Sequence, residues 1–298
     1  MLGDFILHLG GIQNMVFKKA AFFLLIAANY LPSECDKSKN PNKIVIAGGS
    51  LTEIVYDLKE EEKILAVDVT SNFPPEVKDF PSVGYVRALS TEGLLSLGPT
   101  LILGEEDMGP PLVLDQLKIV GVDIRVIKDD FSSSSILSKV ECISEIIGAK
   151  KINTKRLINN LKEKINVLET NIKKNNRAMT ILLILGLQGT SPIAAGHSTS
   201  GHGFINLLGA KNIMEDVEGW KPISSESILM KNPDIILVTK RGIRSFKNDE
   251  AFSNHSSIKF TNAAQNKNVF SLDGMSMLGF GPRTIETAIF VSENLINQ

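Results

Sequence analysis

Short apolar runs recur along this chain, each bounded by Gly, Pro, Asp or Asn. In the first half they fall at Ile44–Ala47, Ile64–Val67, 101–103 and Asp123–Ile127, and in the second at 180–185, 235–238 and Val269–Leu272. Runs this short, apolar at consecutive positions rather than alternate ones, predict strands covered on both faces. Between them, apolar residues step by three and four over 51–58, 90–97, 112–120, 132–148, 204–208, 225–230 and Pro282–Ile296. That spacing predicts helices, with Pro99 stopping the one that begins at Ser90, Gly121 capping the one over 112–120, and Gly148 ending the one that begins at Ser132. The alternation predicts an α/β chain built on parallel sheets.

One stretch breaks the alternation. Over 154–174, Ile158, Leu161, Ile165, Leu168 and Ile172 form an apolar stripe with no Gly or Pro. This predicts a single amphipathic helix of roughly 30 Å at about 1.5 Å per residue. On its two sides the sequence repeats. ISSESILMKNPDIIL at 223–237 lies over LSTEGLLSLGPTLIL at 89–103 without a gap, so that Ser224 matches Ser90, Glu226 matches Glu92 and Pro233 matches Pro99. We therefore expect two similar lobes, each a mostly parallel sheet flanked by helices, joined by one long rigid helix. The expected divisions are a signal sequence and polar tether (1–42), an N-terminal lobe (43–149), the connecting helix (150–175) and a C-terminal lobe (176–298). The ligand site is expected in the cleft between the lobes.

Charge is nearly balanced, with 32 Lys and Arg against 33 Asp and Glu, which argues against a basic surface for nucleic acid. Trp220 is the only tryptophan, so no stacking platform for single strands is visible. At the N-terminal end, MVFKK at 15–19 precedes the apolar AAFFLLIAANY at 20–30, a run too short to span a bilayer as a helix. This predicts a secretory signal and an exported protein. Cys35 opens the polar tract that follows and resembles a bacterial lipoprotein acylation site, although Glu34 before it is unusual there. The alternative is a plainly cleaved signal with Cys35 incidental. Cys142, the only other cysteine, falls in an apolar helical pattern and reads as a buried thiol.

Candidate chemistry is sparse. Tyr85, one of three tyrosines, sits on a loop between Gly84 and Arg87. Gly48-Gly49-Ser50 lacks the lysine of a phosphate loop, and Ser50 with Glu53 reads as a capping box. Glu105, Glu106 and Asp107 suit either a divalent cation or the first turn of a helix before Pro110-Pro111, and the helix reading is preferred. His197 and His202 stand five apart in a Gly/Ser/Thr-rich loop and are candidate metal or haem contacts. Arg241 follows a second-lobe strand, where cleft mouths lie. Met275, Met277 and Phe280 surround Gly279 ahead of the last helix and suit a pocket or a core. No nucleophile with an adjacent base is apparent.

Several longer segments carry a resemblance: GGSLTEIVYDL at 48–58, TSNFPPEVKDFPSVGYVRALSTEGLLSLGPTLIL at 70–103, EDMGPPLVLDQLKIVGV at 106–122 and MLGFGPRT at 277–284. Over about 43–295 the chain resembles the substrate-binding proteins of bacterial haem ABC importers. These belong to a cluster with single-helix-linked lobes that also holds vitamin B12 and siderophore binders. The resemblance implies a non-enzymatic periplasmic carrier of ferric haem, with haem as the transported ligand. Tyr85 would be the axial iron ligand, Arg87 its positive partner, Arg241 a contact from the opposite lobe, and Met277 and Phe280 pocket residues. Glu92 and Glu226 would dock an ABC permease of the inner membrane, one per lobe. An outer-membrane haem receptor system would act upstream. The rival expectations are a cobalamin or ferric-siderophore carrier, and an exported metalloenzyme using His197, His202 and 105–107.

Overall fold

The first sheet is built from β1 (Ile44–Ala47), β2 (Ile64–Val67), β3 (Leu101–Glu105) and β4 (Asp123–Ile127), all parallel, in the order β2-β1-β3-β4. This computed structural model describes residues 35–174, 178–188 and 191–296. The leader at 1–34 lies outside the described residues. Side chains of β1 alternate between two cores: Ile44 and Ile46 pack with α1 (Gly49–Asp57) and α4 (Ser133–Ile147), whereas Val45 and Ala47 pack with α2 (Thr91–Leu97) and α3 (Pro111–Ile119). β1 is covered on both faces, which is why it reads as an unbroken apolar run, whereas β4, at the sheet edge, interleaves Asp123 and Arg125 with its apolar residues. Ser90 and Ser132 cap α2 and α4 by accepting from the Gly93 and Ser135 amides.

The long helix α5 (Lys151–Lys174) starts three residues earlier than its apolar stripe and measures about 36 Å from its 24 residues. It carries the chain into a second sheet of six strands: β5 (Thr180–Gln188), β6 (Ser191–Ala195), β7 (Lys211–Asn212), β8 (Trp220–Pro222), β9 (Ile235–Thr239) and β10 (Val269–Leu272). The order is β10-β9-β5-β6-β8, with β7 beside β5. β6 runs antiparallel to both neighbours, so this sheet is mixed. The helices here are α6 (Ser200–Leu207), α7 (Ser225–Lys231), α8 (Asp249–Ser253), α9 (Asn262–Gln265), α10 (Gly274–Leu278) and α11 (Pro282–Ile296). Within the Gly/Ser/Thr-rich stretch expected as a loop, 191–195 instead form β6 and 200–203 begin α6.

The sequence repeat is a structural repeat. Ser224 caps α7 as Ser90 caps α2, Asn232 closes it in the left-handed region as Gly98 does, and each helix feeds a fully buried strand, β9 or β3.

The lobes meet just beyond the carboxyl ends of β1 and β10. Gly49 and Ser50, just after β1, pack against Met275, Gly279 and Gly281 of the second lobe. Phe131 stacks on Phe280 with ring centroids 5.3 Å apart, and one apolar cluster continues across the seam from Val140 to Phe204 and Phe280. Arg283 at the start of α11 donates to the buried Glu53 of α1 at 2.9 Å and lies over the Phe73 ring. Ser50 and Glu53 therefore form no capping box. The amide cap of α1 is Gly48, with no side-chain bond, and both polar side chains are drawn elsewhere.

The two cysteines are also placed otherwise than expected. Cys35 and Cys142 are joined in a disulfide. Cys142 is thus no buried free thiol, and the Cys35 sulfur is already bonded where a lipid thioether was expected.

Candidate ligand-binding cleft

Tyr85 sits where the chain crosses the carboxyl edge of the first sheet. Residue 82 pairs beside Val67 at the end of β2, and Val69 donates to the Gly84 carbonyl. Gly84 turns the chain at φ 84, a conformation that favours glycine. The segment then arcs over to the loop after β3. There the Val86 carbonyl accepts from the Gly109 amide, and Leu89 donates to the Gly109 carbonyl. Val86 and Leu89 are buried and pin the arc from below, while Tyr85 between the anchors stays 44% exposed. Its hydroxyl takes no hydrogen bond from the described residues. Rigid ends with one open aromatic suit a ligand-contacting loop.

Arg87 lies on the same arc, but its guanidinium is directed to Asp107. Nε and Nη2 each lie 2.7 Å from Asp107 Oδ2. The hydrogen bond to Asp107 holds Arg87 firmly charged, and the Tyr85 side chain is near enough to contribute to the same effect. Asp107 is thus a fixing group for Arg87. It belongs to no first helical turn, since α3 starts at Pro111.

Glu105 departs further from expectation. It ends β3 and accepts from Ser50 Oγ at 2.6 Å, with its carboxyl group lying over Gly48 at the start of α1. Burial pushes its pKa up to about 7, against the opposing pull of Lys139 and Ser50. Lys139, itself buried, reaches Asp129 at 2.5 Å and the Gly279 carbonyl of the other lobe at 3.3 Å. Among the described residues, no cluster of three or more His, Cys, Asp or Glu could hold a metal ion.

Around the arc, Val69, Phe73 and Tyr85 are exposed apolar or aromatic side chains on one sheet edge. Arg87 stands beside Tyr85, and Arg283 beside Phe73. In the second lobe, Arg241 lies in a short helical turn directly after β9. Lys240, Arg241, Arg244 and Lys247 are all exposed on this segment, and none pairs with an acid among the described residues. The sequence reading singled out only Arg241. The four basic residues within eight positions were the signal for the rest.

Other expected site residues are not at the cleft. Met277 and Phe280 are fully buried. Phe280 has φ 50, which turns its ring into the seam core against Phe131. His197 follows β6, whose antiparallel course carries it away from the carboxyl edge. Ile184 pairs with Ala194, so His197 stands level with the start of β5, roughly 13 Å below the edge at about 3.3 Å per residue. His202 contacts Asn212 through Nδ1 at 3.2 Å, and Asn212 belongs to β7, beside the start of β5. Tyr85 and Arg87 thus share one arc beyond the first sheet, Arg241 follows β9 of the second, and both histidines lie toward the start of β5.

Glu92 and Glu226 are exposed at matching places in the first turns of α2 and α7. Leu94 and Ile228, two residues on, are buried in each case, and Leu95 and Leu229 are exposed beside the acids.

Comparison with known proteins follows this geometry. Residues 44–275 match the family described as periplasmic binding protein. An uncharacterized ABC transporter substrate-binding lipoprotein of Bacillus subtilis, YvrC, is 28% identical over 260 residues, covering 86% of this chain and 81% of that protein. A vitamin B12-binding protein of Yersinia pseudotuberculosis is 25% identical over 224 residues, 74% of this chain and 76% of that one. Among solved structures, the periplasmic heme-binding protein HutB of Vibrio cholerae superimposes with a TM-score of 0.77 at 32% identity, covering 86% of this chain and 99% of HutB. The periplasmic heme-binding protein BhuT, solved with two hemes, gives a TM-score of 0.80 at 27% identity over 86% of this chain and 98% of BhuT.

Proposed function

This chain belongs to the periplasmic binding protein family, and from that premise we propose that it is an exported carrier that captures ferric haem between its lobes and hands it to an ABC importer. The observation that carries this reading is Tyr85: an aromatic hydroxyl held open on a pinned arc, beside a guanidinium fixed by its own carboxylate. A phenolate is a hard anionic ligand suited to ferric iron, and tyrosine serves as a haem ligand elsewhere. On coordination the phenolic proton leaves to solvent and the oxygen bonds the iron. The charge of Arg87 favours the phenolate over the phenol. Asp107 keeps Arg87 in place so that little ordering is needed when the ligand arrives. Val69 and Phe73 offer apolar surface to a flat macrocycle, and the cations at 240–247 offer partners for its carboxylates.

The role is binding and delivery, with no chemistry on the cargo. Glu92 and Glu226 dock a permease with one contact per lobe, which their matching places in the repeat support. Similarity to vitamin B12-binding proteins makes cobalamin the second reading of the same cleft.

The test is a haemin titration of the exported chain with its Cys35–Cys142 disulfide intact, read by absorption for wild type and Tyr85→Phe. A saturable high-spin ferric spectrum that is altered or lost in Tyr85→Phe is the expected result. Saturable binding with an unchanged spectrum in the variant moves the iron ligand elsewhere.

A further inference from the structure

We infer that the Cys35 sulfur of the mature chain is spent on a structural cross-link to Cys142, which excludes thioether lipid attachment at Cys35 and anchors the stretch from Cys35 on α4. Three observations converge on this. The two sulfurs are bonded. The segment after Cys35 is laid along α4, the helix that carries Cys142: Ser38 is buried and donates its amide to the Ile146 carbonyl at 2.9 Å. Lys37 stretches across Gly148 at the end of the same helix, so close that a Cβ there would stand 2.9 Å from its Cε. The bond thus closes one end of a strap already seated on α4.

The chemistry makes the two fates exclusive. A disulfide forms when the Cys35 and Cys142 thiols together lose two protons and two electrons to a disulfide-bearing oxidant, which is reduced to its dithiol. A thioether needs the same Cys35 sulfur bonded to a lipid carbon. YvrC is described as a lipoprotein. This chain directs its one cysteine near the signal to a different partner. The cross-link also has a positional consequence. α4 covers the face of the first sheet opposite to α2, which carries Glu92. The strap at 35–38 is therefore anchored on the side of the first sheet opposite to α2.

The test is peptide mapping of the full chain, expressed in an exporting bacterium and alkylated with iodoacetamide before digestion without reductant. A peptide pair joining Cys35 to Cys142, lighter by two hydrogens than the sum of its thiol forms, is expected, and reduction should release both. In Cys142→Ser, Cys35 should become alkylatable. A Cys35 peptide bearing a diacylglyceryl thioether, with Cys142 alkylated, overturns the inference. Alkylation of both cysteines in the unreduced wild type overturns it equally. None of these readouts depends on haem binding.

Discussion

Glu105, at the end of β3, gives the fold a stability that depends on pH. Its carboxyl group is buried against Gly48 and accepts from Ser50, with Lys139, Asp107 and Asp68 as the charged groups around it. Its pKa lies near 7 in the fold, against an ordinary value of 4.5. The folded state therefore holds a proton that the unfolded chain has released across that interval. Folding stability from this group is fully present below about 4.5 and is lost as the pH rises through about 7. At about 1.4 kcal/mol per pH unit, the interval bounds the loss at roughly 3 kcal/mol. Glu105→Gln removes the titration and keeps an oxygen to accept from Ser50. Urea unfolding of both proteins at pH 5, 6, 7 and 8 is the assay. The variant should equal wild type near pH 5 within about 1 kcal/mol and exceed it at pH 8 by up to ~3 kcal/mol. Glu53 and Asp57 also have raised pKa values through burial, but they contribute alike to both proteins and cancel in the difference. Parallel stability curves across this range would refute the reasoning.

Two further outcomes follow from the same contacts. Arg283→Ala should destabilise the chain by about 3 kcal/mol, the low end for breaking a buried pair, because Glu53 is 5% exposed and Arg283 retains 18% exposure; thermal or urea unfolding reads it. Glu92→Lys with Glu226→Lys should leave haemin affinity unchanged and abolish stimulation of the permease ATPase in reconstituted vesicles, whereas loss of haemin binding would place these acids in the cleft instead.

Legibility in the sequence followed the length of the interaction. β1, β3 and β9 were visible because both faces are covered and their runs at 44–47, 101–103 and 235–238 are apolar throughout. α5 was visible because one stripe faces the protein along its whole length, and the two lobes were visible because Ser90-Glu92-Pro99 recurs as Ser224-Glu226-Pro233. Contacts that join distant residues were not visible. Asp107 is 20 residues from Arg87, and Cys142 is 107 from Cys35, so nothing local signals either pair. β6 escaped notice because its Gly/Ser/Thr-rich surroundings carry no tight-turn pair such as Asn-Gly. Met277 and Phe280 failed as pocket residues for a related reason. An apolar side chain beside a glycine reads the same whether it faces a ligand or a core, and the positive φ that buries Phe280 is not written in its neighbours.

The claim that matters most is the ligand class, and a side-by-side calorimetric titration of the chain with haemin and with cyanocobalamin tests it most directly. The account predicts saturable binding of haemin, weakened at least tenfold by Tyr85→Phe, and no saturable heat from cyanocobalamin. Saturable cyanocobalamin binding, with haemin giving none, would contradict it and assign the same cleft to a corrinoid.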